Sequence, residues 1–365
     1  MNIVYVVADS PEEWNSAEWR CSIPAQAIRQ TGLHSARLLD MISFAKNSAQ
    51  AQEACQEADV IVIQRNLYGP VLNAIQRWKA RDKVVIADFD DAYQLMPPGV
   101  KNYEFWSQGK IVRRGADQAV TVETMDPPPL TQFKWGLRLV HAATVPSTQL
   151  AEDWKAYADM YFLPNYIDLD RYLEARPVTH DGIVIGWGGS LSHLQSFTES
   201  GVLEALKRVC SARPQVKVMI CGDERVYHAL PVPEEQKSFR GWVPANEWPY
   251  QLANFDIGIA PLSGAYDQRR SWIKILEYMV MKIPWVASDG PAYHSLRSYG
   301  WLVQNKPATW ERILLDMIDN LDDHREEAGG DPYLFGLSQS IEHNVEKIIT
   351  LYQSIKSKNL PVNAS

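Results

Sequence analysis

The sequence predicts an α/β protein of two halves, each organised on a parallel sheet. Short apolar runs recur along the chain without polar alternation, as strands buried on both faces require, and helical patterns separate several of them. The pattern restarts near Ile183 after a polar stretch. A chain of 365 residues also has the length of two domains rather than one.

In the first half the apolar runs are residues 3–7, 36–39, 60–63, 84–87, 119–122 and 143–145. Residues 23–30 and 71–79 carry helical spacing between them, so the repeating unit reads as βαβ. Pro127, Pro128 and Pro129 mark a loop before the next helix. In the second half, residues 183–186 and 216–221 read as strands, with a helix at 203–210 between them. Residues 239–243, 257–261 and 285–288 continue the sheet. From about Glu311 onward the pattern is helical, most clearly over 341–355. The expected division is a first domain at 1–168, a linker at 169–181, a second domain at 182–330 and a helical segment at 331–365.

Composition excludes some classes. The net charge of −8 argues against a general nucleic-acid binder. No apolar run reaches the roughly 18 residues that a membrane-spanning helix needs. Cys21, Cys55, Cys210 and Cys221 show neither metal-ligand nor CxxC spacing and read as buried thiols of a reducing compartment. The chain opens on an apolar run too short for a signal peptide, so the expected location is cytoplasmic.

The segment from Ile257 to Ser288 carries the most chemistry. Residues 257–261 read as a doubly buried strand, and Trp272, Leu276, Met279, Val280 and Ile283 recur at helical spacing after it. Arg270, Lys274 and Glu277 fall at i, i+4 and i+7, so they are expected on the opposite, polar face. Two cations at the start of a helix that follows a parallel strand suit a phosphate-bearing ligand.

Residues 276–288, LEYMVMKIPWVAS, resemble the donor-site run LEAMACGKPVVAS of the GT-B retaining glycosyltransferases, family 4 in particular. Leu163-Pro164-Asn165-Tyr166-Ile167-Asp168 is similar to the PNgvD that ends the first domain in that family, and 239–243 to its short v.f.G.v strand. The resemblance implies two Rossmann-like domains facing a cleft, with a C-terminal helix crossing back to the first. It implies a metal-independent hexosyl- or pentosyltransferase with no tightly bound cofactor, whose donor is a nucleotide-diphosphate sugar and whose reaction retains configuration. The acceptor stays open among glycan, lipid-linked glycan, small metabolite and modified nucleic acid, and so does the oligomeric state. Two other classes remain: a nucleotide-sugar epimerase or hydrolase of the same fold, and a non-catalytic nucleotide-binding relative.

The resemblance assigns Glu277 to the second glutamate of the EX7E motif, which holds the donor ribose. The first glutamate is replaced by Arg269, so its sugar-contacting role does not carry over. Arg269, Arg270, Ser271 and Lys274 are the candidates for the diphosphate, where fixed cations stabilise a departing anion without a metal. The turn with Gly188, Gly189, Ser190 and His193 is expected at the donor, with Trp242 and Val243 beside it. His193 either contacts phosphate or sugar or fixes its own loop. Asp90 and Asp91 follow the strand at 84–87, where the family carries a histidine about at Asp90. They are candidates for the sugar or acceptor, with a loop-ordering role as the other reading. Arg20 resembles the family's yR...pa..L segment and is expected at donor phosphate or acceptor, or in an ion pair.

Overall fold

The structure, a computed structural model, describes residues 1–9, 15–100, 102–114, 120–190 and 192–360. The chain forms two compact units. Unit 1 takes Met1–Asn165 together with the chain from Ile341 onward, and unit 2 takes Tyr166–Ser340.

Unit 1 contains β1 (Asn2–Val7), β2 (Ser35–Asp40), β3 (Val60–Gln64), β4 (Val84–Asp88), β5 (Lys110–Arg114), β6 (Val120–Thr124), β7 (Ala142–Val145) and β8 (Met160–Phe162). Six of these make one parallel sheet in the order β2-β1-β3-β4-β7-β8. Every residue of β3 and β4 is buried, which is why their sequences lack alternation. One expected strand is placed differently. Residues 120–124 pair antiparallel with β5 as a separate exposed ribbon, and Ala119 lies outside the described residues. The run Val-Thr-Val-Glu-Thr alternates, and all five of its residues are exposed, unlike the doubly buried strands of the main sheet. The last helix, Ile341–Asn359, belongs to unit 1, where Tyr352 meets Tyr5 at 3.4 Å between hydroxyls and Lys356 pairs with Asp59 at 2.6 Å.

Unit 2 contains β9 (Ile183–Gly189), β10 (Val216–Gly222), β11 (Lys237–Arg240), β12 (Ile257–Ala260), β13 (Trp285–Ser288) and β14 (Trp301–Val303). They form one parallel sheet in the order β11-β10-β9-β12-β13-β14. One face is filled by Trp187, Phe197, Leu206, Val218, Ile259 and Trp310. The edge strands β8 and β14 were not expected from the sequence, since three residues are too few to show a pattern. After β9 the chain adds β10 and β11 on one side, then returns to place β12 on the other. The carboxyl ends of β9 and β12 therefore flank a topological switch point, the place where open α/β sheets bind ligands.

Candidate functional site

β9 runs on through Gly188 and Gly189, so these glycines end a strand rather than form a turn after one. Packing explains two of its glycines. A Cβ on Gly186 would lie 2.0 Å from the Phe255 ring, and one on Gly188 would lie 2.0 Å from the Trp248 ring. Close approach to aromatic side chains of the same unit thus requires glycine there, where the sequence suggested close approach to a ligand. Ser190 and Ser192 follow, with 3.1 Å between their hydroxyls, while Leu191 lies outside the described residues.

The helix after β12 spans Ile273–Val280 and corrects the reading of the polar face. Arg270 precedes the helix, in the turn. Glu277 is only 5% exposed. Its Oε1 accepts two hydrogen bonds, from the Tyr172 hydroxyl at 3.0 Å and from the Trp248 indole N–H at 2.9 Å. Burial pushes the Glu277 carboxyl up, and Lys274, Tyr172 and Trp248 offset part of that push. Lys274 is half-buried, donates to the Gly188 carbonyl and stands 5.0 Å above the Trp187 ring. Burial pushes its ammonium down; Glu277 opposes this and Arg270 adds to it.

Arg270 joins the same cluster. Its Nε donates to Asp267 at 3.1 Å and its Nη2 to the Ser192 hydroxyl at 2.9 Å. Asp267 is buried and also accepts from the Ser196 hydroxyl at 2.6 Å and the Ser263 amide at 2.9 Å. It fixes the loop and the arginine. His193 is 8% exposed, lies edge-on to Trp187 at 5.7 Å, and its Nδ1 has no hydrogen-bond partner among the described residues. Burial first, then Arg270 and Lys274, hold its pKa well below the usual histidine range, so the ring is neutral. Arg269 is half-buried and donates to the Ala265 carbonyl at 3.1 Å, and Ser271 lies in the turn between it and the helix. Trp242, 50% exposed, and Val243 lie just past β11, and the Trp242 ring flanks Gly222 at the end of β10.

Unit 1 separates the three acidic residues after Ile86. Asp88 is buried and pairs with Arg20 through two bonds, Nε to Oδ1 at 2.8 Å and Nη2 to Oδ2 at 2.7 Å. Arg20 also donates to the Leu163 carbonyl at 2.7 Å and to Asn165 Oδ1 at 2.8 Å. Of the readings open for Arg20, the structure shows the ion pair: at 3% exposure its guanidinium is tied to Asp88 within unit 1. Asp90 and Asp91 are half-buried. Burial first, then the Asp91 charge, push the Asp90 carboxyl up to about 7, against the pull of Arg20 and Arg65.

The structure thus gathers Gly188, Ser192, His193, Arg270, Lys274 and Glu277 at the switch point of unit 2, and leaves Asp90 and Asp91 on unit 1. Tyr172 and Trp248 were missed by the sequence reading, being 105 and 29 residues from Glu277. Tyr172 carries no local signal, as it falls in the stretch expected to be a polar linker. Among the described residues no helix is long and apolar enough to cross a membrane, and no three His, Cys, Asp or Glu side chains group so as to hold a metal ion. The four cysteines are free and buried.

Comparison with known proteins bears on this arrangement. Residues 184–320 match the family model described as glycosyl transferases group 1. No curated protein sequence matches the chain. Among solved structures, the chain is similar to Anabaena Alr3699/HepE in complex with UDP and glucose, at 14% identity and a TM-score of 0.64, covering 96% of this chain and 99% of that one. It is similar to a sucrose-phosphate synthase of Thermosynechococcus elongatus at 11% identity and TM-score 0.62, covering 98% and 99%. A putative UDP-N-acetylglucosamine 2-epimerase of Listeria monocytogenes matches at 11% identity and TM-score 0.54, covering 98% and 96%. The chain therefore has the GT-B fold, and its second unit carries the sequence pattern of the glycosyl transferases group 1 family.

Proposed function

We propose that this protein transfers a sugar from a nucleoside-diphosphate sugar, with uridine as the base, to an acceptor, and that it retains the anomeric configuration. One observation carries the reading. At the switch point of unit 2, Arg270, which donates to Asp267 and to the Ser192 hydroxyl, and Lys274, which donates to the Gly188 carbonyl, bring two cations to one end of the helix Ile273–Val280. A diphosphate suits that pair of cations. It would also meet the amino end of the helix Ile273–Val280, whose N-cap residue Trp272 offers no side-chain cap.

In this reading Glu277 accepts from the ribose hydroxyls through Oε2, since Oε1 already takes two donors. Arg270 and Lys274 stabilise the departing diphosphate, whose charge grows as the sugar bond breaks, so positioning and electrostatics supply most of the acceleration. His193, neutral with an open Nδ1, hydrogen-bonds a phosphate oxygen or sugar hydroxyl. Trp242 offers a ring face to the base. Unit 1 receives the acceptor, with Asp90 and Asp91 at that side. The leaving phosphate takes the acceptor proton, and no metal is required. The buried thiols suit a cytoplasmic location.

The test is calorimetry with uridine diphosphate and with uridine, followed by incubation with a panel of UDP-sugars and acceptors. Tight diphosphate binding with acceptor-dependent release of uridine diphosphate supports the transferase. Release of free or epimerised sugar without any acceptor assigns the chain to the epimerase or hydrolase class instead. Binding without turnover across the panel assigns it to the non-catalytic class.

A further inference from the structure

A cavity of about 550 Å³ lies inside unit 2 at the amino ends of β12 and β13, where Asp256 and Pro284 precede those strands. That volume is in the range of ligand pockets. We propose that this cavity binds a small amphiphile with a single apolar chain and a terminal anionic group, phosphate or carboxylate.

The walls set the apolar part of the ligand. Leu252, Phe255, Val280, Met281, Ile283 and Leu337 line the cavity, and two further lining residues, Leu173 and Val178, are 53% and 46% exposed. An apolar surface left open at a cavity lip is where an apolar chain gains by leaving water.

The charges set the head group. Asp256 is buried and fully matched: it accepts from the Val184 amide at 2.7 Å, faces His180 at 3.4 Å and pairs with Arg325. Arg325 pairs with Asp322 as well, so it too is matched. Among the described residues the other two cations, Arg176 and Lys282, have no carboxylate partner. Arg176 is exposed and donates only to the backbone carbonyls of Leu173 and Ala175. Lys282 is exposed, with its ammonium 4.4 Å above the Tyr333 ring. The lining thus carries two positive charges with no acidic partner among the described residues, beside the apolar wall of Leu252, Phe255, Val280, Met281, Ile283 and Leu337.

Backbone geometry adds an independent observation. Lys282 has φ of 56°, in the left-handed region that favours glycine, at the turn that ends the helix Ile273–Val280. The corresponding position of the family run LEAMACGKPVVAS is glycine. A lysine held against its backbone preference beside a cavity points to a task for its ammonium.

The experiment titrates the full-length protein with decyl phosphate, below its micelle concentration, by calorimetry. Parallel titrations use decyltrimethylammonium, inorganic phosphate, and vesicles of phosphatidate in phosphatidylcholine. Saturable one-to-one binding of decyl phosphate is expected, with the cationic chain and inorganic phosphate each at least tenfold weaker. Lys282→Gly should weaken decyl phosphate about tenfold while raising the melting temperature, because glycine fits the left-handed backbone. Ala253→Trp, which fills the cavity, should abolish binding. Both variants should bind uridine diphosphate as the wild type does, which separates this site from the one at the switch point. The proposal is overturned by absence of saturable binding, by equal binding of the cationic chain or of inorganic phosphate, by binding to vesicles alone, or by wild-type affinity in both variants.

Discussion

Tyr172→Phe probes the part of the candidate site that the sequence did not reveal. Glu277 is nearly fully buried, and two donors, Tyr172 and Trp248, converge on the same oxygen at 3.0 and 2.9 Å. A hydrogen bond to a charged acceptor is worth about 1.5–3 kcal/mol. Phenylalanine deletes the hydroxyl without leaving an unpaired donor, and Trp248 still holds Oε1. The folding cost should therefore sit near the low end, about 1–2 kcal/mol, or roughly 2–8 °C in the transition of a unit this size. Function should suffer separately. With one tether gone the carboxylate can rotate, and Oε2 no longer has a fixed direction. Uridine diphosphate affinity should fall about tenfold, which is about 1.4 kcal/mol.

The sharper readout is sugar discrimination. The wild type should prefer uridine diphosphate over its 2′-deoxy analogue, and Tyr172→Phe should shrink that preference. In a Glu277→Gln background the Tyr172→Phe change should add little, giving a coupling of about 1 kcal/mol or more in a double-mutant cycle. A lower melting temperature with unchanged affinity and unchanged ribose discrimination would refute the reasoning. The tyrosine would then be a packing residue only.

Three further outcomes follow from the same geometry. Arg270→Ala and Lys274→Ala should each weaken uridine diphosphate tenfold or more by calorimetry while leaving uridine unchanged; equal losses for both ligands would make the pair a structural charge cluster. Arg20→Ala should cost about 3–5 kcal/mol in denaturant unfolding, the penalty for leaving the buried Asp88 carboxylate alone, and Arg20→Lys should not restore it because one ammonium cannot reproduce the fork. Asp90, raised to about 7 in the folded state, contributes stability that is full below its ordinary range near 4 and is lost as pH rises through 7. Asp90→Asn should thus melt like the wild type near pH 4 and increasingly above it as pH rises to 8, by the equivalent of about 1–2 kcal/mol after screening at this half-buried position; melting curves that stay parallel across that range would contradict it.

The sheets were legible in the sequence because burial on both faces leaves its mark on every residue of a strand. β3 and β4 are two such cases. The helix Ile273–Val280 was legible by spacing, but its polar stripe was misread. Periodicity reports which residues share a face and does not report what covers that face. Here Trp248 and Tyr172, from distant parts of the chain, close over Glu277 and turn a solvent-facing carboxylate into a buried one. The glycines of β9 show the same limit. Their position after the strand suggested a ligand, whereas Phe255 and Trp248 occupy the space that side chains on Gly186 and Gly188 would need. Arg20 was legible as a candidate, and only the fold shows that its fork is filled by Asp88.

Arg269 stands where the family motif carries its first glutamate, and the structure narrows what that departure means. The neighbouring carboxylate does not take over the role of the missing glutamate. Asp267 is buried, and its oxygens accept from Ser196, Ser263 and Arg270, so it is engaged with its own loop. Arg269→Glu restores the family residue and reverses a charge next to Arg270. If the cations act together on the diphosphate, the new carboxylate should oppose them by about 0.5–1 kcal/mol, as for partly exposed charges. Uridine diphosphate should bind two- to fivefold more weakly, with the loss shrinking at high salt as the Debye length shortens. Turnover should fall at least as far, since charge on the diphosphate grows as the sugar bond breaks. A gain in turnover from Arg269→Glu, at unchanged diphosphate affinity, would show the arginine to be a bystander and the family's sugar contact to be still available at this position.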